Sequence, residues 1–474
     1  MRSMSRNRYM PGSIGRLTVR RKPIELFGLV VLAISALGTT PVGAQQSLEE
    51  REVPVLYEIA EINFSIVGWT RSESVLAFLG LNEGDRFMSR EALEETLERY
   101  ERDLYNQRVF DEVRVDYEIL DESETGPTDT VRPVTRVALH IEIDDGWTLL
   151  PVAFYRYNSN TGHNPFVVLY WDNFFGTLTD FGFSAGYYSR NWVDAFGWDI
   201  RLDLGGIRMF DRSWSFGFDQ EYTTVEKADP RGDLLLRYTY YTSNFGVSTR
   251  LRLNENWSYK VSPGVEATYG YETEKNLRND PIPADTVSPS FSHGVGTGRQ
   301  DWYRNFRDGW NLGLSNSVAY SISEEKIKSD VSVSSEYFKI FGPVNPSIRG
   351  KLQHYFDGDA LSKGGDVRGV ANRKIFGTTF LKVNTNFAIR VIDIPAFAEF
   401  NVSPFLDSAV AVQEDDSLGS DNLFFGAGID LTMFPHFLRG FQGRASFGVD
   451  LRDPPQNILD FGSYEFSITE TLEF

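Results

Sequence analysis

The stretch of this chain whose residue types and spacing point to specific chemistry is Gly364-Gly365-Asp366-Val367-Arg368-Gly369-Val370, where three glycines flank one arginine. Glycine admits positive φ, so such a segment can fold back tightly or thread a narrow space. The arginine carries a planar fork of five donors that stays charged at any relevant pH. Its chemistry is that of an anchor for a carboxylate, not of a nucleophile or proton donor. On composition alone the heptapeptide reads as a solvated turn. Other reactive groups are scattered. The five histidines, His140, His163, His293, His354 and His436, show no HExxH or other metal-binding spacing. The chain has no cysteine, which excludes disulfides, thiol catalysis and thiolate metal sites. Gly294-Val295-Gly296-Thr297-Gly298 imitates a phosphate-binding loop, but no helix follows it, and it reads as a flexible linker within a long loop. Glu414-Asp415-Asp416 reads first as a solvated loop and second as a cation site. No enzymatic activity, metal or cofactor is expected.

The elements that must position Arg368 begin with composition. Phe, Tyr and Trp make up 14% of 474 residues, beside 41 glycines. That mixture suits aromatic-rich strands with close backbone approaches. The length calls for two units or one large barrel. A mean hydropathy of −0.30 would mark a soluble protein. A membrane barrel, however, shows lipid only every second residue of each strand, so bulk hydropathy does not discriminate. The net charge of −19 argues against nucleic acid as a partner.

At the start of the chain, Arg16, Arg20, Arg21 and Lys22 precede an apolar run from Leu26 to Leu37. Val42-Gly43-Ala44 then offers a small-residue cleavage site before Gln45. The run is too short to span a bilayer and fits the core of a signal peptide. Residues 1–44 are read as that peptide, starting at Met1, Met4 or Met10, and the mature protein is read as exported.

Residues 55–145 read as a small α+β domain. Val55 to Val67 alternates as a strand ended by Gly68. Thr70-Arg71-Ser72-Glu73 has the spacing of a capping box before a short helix that carries Val75, Leu76 and Leu79. Ser89 can cap a second helix whose stripe is Leu93, Leu97, Tyr100 and Leu104. Two strands come next, Val113–Ile119 and Val134–Ile143, joined by a polar loop. Two helices can cover one face of the resulting three-stranded sheet and leave a strand edge open for an added strand.

Residues 146–474 read as strand after strand. Phe196, Trp198, Ile200, Leu202 and Leu204 alternate with Gly197, Asp199, Arg201, Asp203 and Gly205, and similar patterns recur to the end of the chain. A soluble sandwich also alternates. Full charges on the polar face and aromatic residues near strand ends favour a membrane barrel. So do polar breaks such as Thr273–Gln300 and Gln413–Asn422, read as external loops. At about twenty residues per strand and connection, this stretch accommodates a β-barrel of about sixteen antiparallel transmembrane strands. An open sheet edge in lipid is too costly to persist, so the sheet is expected to close. On the last strand Tyr464, Phe466, Ile468, Leu472 and Phe474 share one face, interrupted by Glu470.

Three sets of residues resemble features of known families. Phe64 to Gly68, Gly84-Asp85 and the Phe110-Asp111-Glu112-Val113 transition resemble a POTRA domain, the periplasmic module of outer-membrane assembly and secretion barrels. Val367-Arg368-Gly369 after Gly364-Gly365 resembles the loop motif of the BamA/TamA-like superfamily, also called the bacterial surface antigen family. The strand carrying Phe466, Ile468, Leu472 and Phe474 resembles the C-terminal signature by which outer-membrane barrels are recognised for insertion. The resemblance implies that the loop folds back inside the barrel and that its arginine meets an acid on a following lumenal strand. Asp407, in Phe405-Leu406-Asp407-Ser408-Ala409, occupies the matching place. The implied latch is therefore Gly365, Val367, Arg368, Gly369 and Asp407. Val370 stands where the family has an aromatic residue, and Ala409 where it has glycine, so the loop is expected to dock more loosely or to pack differently. The family implies a factor that inserts or passes unfolded outer-membrane or secreted polypeptides at the outer membrane of a diderm bacterium. Outer-membrane lipid and periplasmic accessory proteins are further partners. The N-terminal domain is placed in the periplasm. The working surfaces are the POTRA strand edge and the seam between the first strand, near Trp147–Tyr157, and the last, near Tyr464–Phe474. The rival expectation is a passive pore or surface barrel that kept the fold without that activity.

Overall fold

The computed structural model describes residues 56–121, 134–159, 162–189, 196–210, 212–228, 234–254, 256–277, 281–356, 361–362, 366–370, 374–413, 418–437, 441–454 and 464–472. The segment read as a signal peptide, the acidic run Glu414-Asp415-Asp416, Gly365 and Phe474 lie outside the described residues.

The N-terminal domain runs β1 (Leu56–Val67), α1 (Ser72–Leu79), β2 (Arg86–Phe87), α2 (Arg90–Tyr105), β3 (Phe110–Asp121) and β4 (Val134–Asp145). Its sheet has the order β2-β1-β4-β3, with β1 parallel to β4 and the other pairs antiparallel. Helix α2 obeys its apolar period. The Ser89 hydroxyl accepts from the Ala92 N–H, and Leu93, Leu97, Tyr100 and Leu104 form the buried stripe. That stripe joins Ile59, Leu139, Ile141 and Ile143 in one core. The sheet has four strands where three are expected, because the turn at Gly84-Asp85 returns the chain to β1. There the Gly84 N–H donates to the Ile59 carbonyl at 2.8 Å.

The expected capping box at Thr70–Glu73 does not form. Arg71 is the N-cap of α1 and contributes no side-chain cap. The Thr70 hydroxyl donates instead to Asp145 Oδ1 at 2.5 Å, and the N–H groups of Trp69 and Thr70 donate to Oδ2. A carboxylate that gathers three donors makes charge-assisted bonds stronger than a neutral cap can offer.

Sixteen further strands close into one antiparallel barrel among the described residues. The first are β5 (Leu149–Asn158), β6 (Gly162–Trp171), β7 (Asp180–Ser189), β8 (Phe196–Met209), β9 (Arg212–Ala228) and β10 (Leu234–Arg252). Next come β11 (Trp257–Asn276), β12 (Thr286–Tyr303), β13 (Phe306–Ser321), β14 (Lys326–Phe338) and β15 (Val344–Tyr355). A loop with the small hairpin β16 (Leu361–Ser362) and β17 (Phe376–Gly377) interrupts the wall. The circle ends with β18 (Thr379–Ile394), β19 (Ala398–Val412), β20 (Leu423–Pro435), β21 (Phe441–Asp450) and β22 (Tyr464–Leu472).

Alternation sends large apolar side chains outward. Phe218, Phe245 and Val265 are register neighbours on β9–β11, as are Ile429, Phe447 and Phe466 on β20–β22. All six are 38–53% exposed. A belt of this kind fits lipid and would be unfavourable in water. The break at Gln413–Asn422 separates β19 from β20 as expected. Thr273–Gln300 is different: most of it forms the ends and body of β11 and β12, which have 20 and 18 residues. A tilted strand needs about 9–11 residues to cross a bilayer, so these two run on past it and carry polar residues there. The expected linker Gly294–Gly298 is therefore sheet, with Gly294 opposite Ser315 and Gly296 opposite Gly313.

Two turns at one end of the barrel hold the N-terminal domain. Between β6 and β7, Asn173 Nδ2 donates to Thr70 Oγ1 at 2.6 Å, and the Arg71 N–H donates to the Gly176 carbonyl at 2.9 Å. Between β12 and β13, Arg108 donates to the Arg304 carbonyl at 2.9 Å and lies 4.1 Å over the Trp302 ring.

Candidate functional site

The loop between β15 and β18 brings Arg368 onto the inner faces of β18, β19 and β20. Arg368 Nε donates to Asp407 Oδ2 at 2.8 Å and NH2 donates to Oδ1 at 2.7 Å, a two-pronged pair. The Arg368 backbone N–H adds a third bond to Oδ2 at 3.1 Å. NH1 donates to Asp430 Oδ2 at 2.6 Å and to Asn386 Oδ1 at 2.8 Å. The guanidinium carbon lies 3.8 Å over the Phe405 ring. Asp407 is fully buried and the Asp430 side chain is 4% exposed. One arginine thus bridges two carboxylates withdrawn from water.

Neighbouring residues hold the loop around this anchor. Lys382 Nζ donates to the Asp366 carboxylate, and Asn384 Nδ2 donates to the Asp366 carbonyl at 3.1 Å. Val367, Val370, Ile375, Phe380, Ala409 and Ala411 form one buried cluster. Val370 and Ala409 both sit inside this cluster. Gly369 has φ +88°, and a Cβ there would lie 2.6 Å from backbone atoms of Val449. Across the contact, a Cβ on Gly426 would lie 1.9 Å from the Arg368 carbonyl oxygen. Glycine at both positions allows the loop backbone to rest directly on the wall.

The second feature is the seam. Among the described residues, β5 and β22 share two register pairs, Ser467↔Asn158 and Ile468↔Tyr157. By contrast, β22 pairs with β21 along its whole length from Tyr464 to Leu472. The Ser159 N–H adds one bond to the Phe466 carbonyl at 3.0 Å. Toward the N-terminal domain, side chains take over: Leu150 clusters with Phe441, with Val152, Phe154 and Met433 packed against them. The rings of Phe154 and Phe441 stack at 5.3 Å.

Glu465 connects the two features. Its Oε2 accepts from the Gly369 N–H, next to the latch arginine. Its Oε1 accepts from Asn158 Nδ2 at 2.8 Å, across the seam.

Of the expected site residues, the structure brings Val367, Arg368, Gly369 and Asp407 together. Phe466 and Ile468 face outward on β22, and Leu472 ends that strand in register with Phe441. Asp430, Asn386, Phe405 and Glu465 join the site without having been expected there. Asp430 stands on the polar face of a readable strand, between Ile429 and Leu431. Glu465 likewise falls between Tyr464 and Phe466. Elsewhere in the wall, Gly182-Phe183-Ser184-Ala185-Gly186 has the spacing of a nucleophile elbow. It lies inside β7, with Ser184 paired to Val168 and Arg201, so it lacks the strand-to-helix turn that an elbow requires.

No family model matches the chain, and no curated protein matches it. Solved structures do. CdiB from Acinetobacter baumannii aligns with a TM-score of 0.57 at 14% identity, over 88% of this chain and 74% of its own. CdiB from Escherichia coli aligns with a TM-score of 0.52 at 12% identity, over 97% of this chain and all of its own (100%). At such identity the likeness is one of fold: this chain is built as a CdiB-type barrel.

Proposed function

We propose that the protein inserts or passes polypeptides at the outer membrane of a diderm bacterium, with the seam as its working surface and without catalytic residue, metal or cofactor. The observation that carries this reading is the ladder between β5 and β22, two register pairs among the described residues. Backbone groups left without a ladder partner in an apolar belt are costly, and the same groups template an incoming strand. The N-terminal domain acts as a POTRA-like module in the periplasm. Its outer strand β3 ends in exposed Ile119 and Leu120, where an extended client segment can add to the sheet. Unfolded outer-membrane or secreted polypeptides are the clients, lipid surrounds the belt, and accessory proteins dock on the N-terminal domain. The motif resemblance to the BamA/TamA-like superfamily supports the same reading.

The test is a seam lock. Asn158→Cys with Ser467→Cys places two thiols at register neighbours, within disulfide reach, in a chain that has no other cysteine. In cells depleted of the wild type, the oxidised double variant should lose a subset of outer-membrane or secreted proteins, and reductant should restore them. An unchanged census with the seam demonstrably bridged refutes the proposal and leaves the passive pore or surface barrel.

A further inference from the structure

Between the latch and the N-terminal domain, the lumen contains a pocket of about 80 Å³ whose lining includes the latch residues Asn386 and Asp430. Trp302, Arg307, Phe338, Arg349 and Arg444 contribute to its lining. Alternation puts Arg349 on the lumenal face, since Ile348 beside it points outward. Arg444 shares the lumenal face with buried Gln442 and Ser446. The three guanidinium groups are close enough to repel one another. Nε of Arg349 and Nε of Arg444 are buried without a hydrogen-bond acceptor from the protein. Asp430 also lines the pocket, and Glu336, Asp407 and Asp430 offset part of this charge, but each acid has another hydrogen-bond or ion-pair partner. Asp430 is held by Arg368 and Ser446, and Glu399 by Arg390 at 2.9 Å. Glu336 accepts from Gln300 at 3.2 Å.

Aromatic faces orient these cations. Arg307 lies 4.5 Å over Trp302 and 4.9 Å over Phe338, while Arg349 lies 5.3 Å over Phe338. A stacked guanidinium presents its N–H donors in its own plane, the geometry that grips a planar or tetrahedral oxyanion. Like charges gathered away from bulk water are unfavourable until a counter-charge joins them.

We infer that this pocket binds an oxyanion, a carboxylate or a phosphate group. It adjoins Trp302, on which Arg108 of the N-terminal domain stacks, so the site stands where that domain meets the lumen. Aspartate and glutamate side chains of a peptide would supply a carboxylate there, and free phosphate would supply the same chemistry from solution. The inference rests on the charge arrangement and does not depend on polypeptide insertion.

The experiment uses the full-length protein in detergent micelles at fixed ionic strength. Thermal unfolding and binding isotherms are recorded with inorganic phosphate and, separately, with a short Asp/Glu-rich peptide. The Asn/Gln version of that peptide is the control. We expect saturable stabilisation by at least one probe, weakened at least ten-fold in both Arg349→Gln and Arg444→Gln. Without a probe, both variants should be as stable as wild type or more so, because repulsion is relieved. Response to phosphate alone identifies a free-ion site, and response to the acidic peptide alone identifies one that reads polypeptide carboxylates. The inference is overturned if neither probe saturates, if the variants respond like wild type, if the Asn/Gln peptide binds equally well, or if both variants are destabilised.

Discussion

Arg368→Ala is the sharpest perturbation of the latch. In the wild type, Arg368 satisfies a fully buried Asp407 and a nearly buried Asp430 at the same time. The substitution removes four side-chain bonds of 2.6–2.8 Å and the stacking on Phe405. Asp407 then keeps the backbone N–H of residue 368, and Asp430 keeps the Ser446 hydroxyl at 2.7 Å. Breaking a buried pair by removing one partner costs roughly 3–5 kcal/mol, because the remaining charge is left uncompensated. Arg368→Lys retains the charge but not the fork, so a loss of about 1–3 kcal/mol is expected. Adding Asp407→Asn to Arg368→Ala should recover part of the loss, since it removes the orphaned charge. The assay is a urea titration monitored by the gel mobility of the folded barrel, with protease cleavage of the loop in parallel. Client insertion should fall alongside stability. A wild-type urea midpoint and a protected loop in Arg368→Ala would refute the reasoning.

Two further predictions concern the domain junction and the seam. Asp172, in the turn between β6 and β7, is 7% exposed, and burial together with the Asp180 carboxylate pushes its carboxyl up to about 8. The folded protein therefore keeps a proton that the unfolded chain releases near pH 4, roughly its ordinary range. Stability from this group is complete below about pH 4 and is lost as pH rises to about 8, at no more than about 1.4 kcal/mol per pH unit. Asp172→Asn should flatten that slope, and superimposable stability profiles of variant and wild type across this range would contradict it. Glu465→Ala should speed backbone amide exchange both in β5 near Asn158 and in the loop at Gly369. Faster exchange at one site alone would show that Glu465 does not join them.

Features set by local periodicity are legible in the sequence. The stripe on α2 and the outward apolar residues of β8–β9 depend on spacings of a few residues, and both can be read directly. The role of Thr70 cannot, because its partner, Asp145, lies 75 positions away and outcompetes the local cap. The length of β11 and β12 is masked because strands that leave the membrane become polar, like loops. In the latch, the motif supplies Arg368 and Asp407. Asp430 and Glu465 depend on which strands closure sets beside the loop, a property that no single strand carries.

Glu465 has a consequence for how the barrel can be worked. One carboxylate accepts from the loop and from the opposite edge of the wall, so the two positions are thermodynamically linked. Linkage is reciprocal: whatever free energy loop withdrawal contributes to separating β5 from β22, separation must contribute equally to loop withdrawal. A strand wedged into the wall would thereby loosen the lumen, and a chain tugging within the lumen would loosen the wall. Neither compartment needs a separate sensor for events in the other.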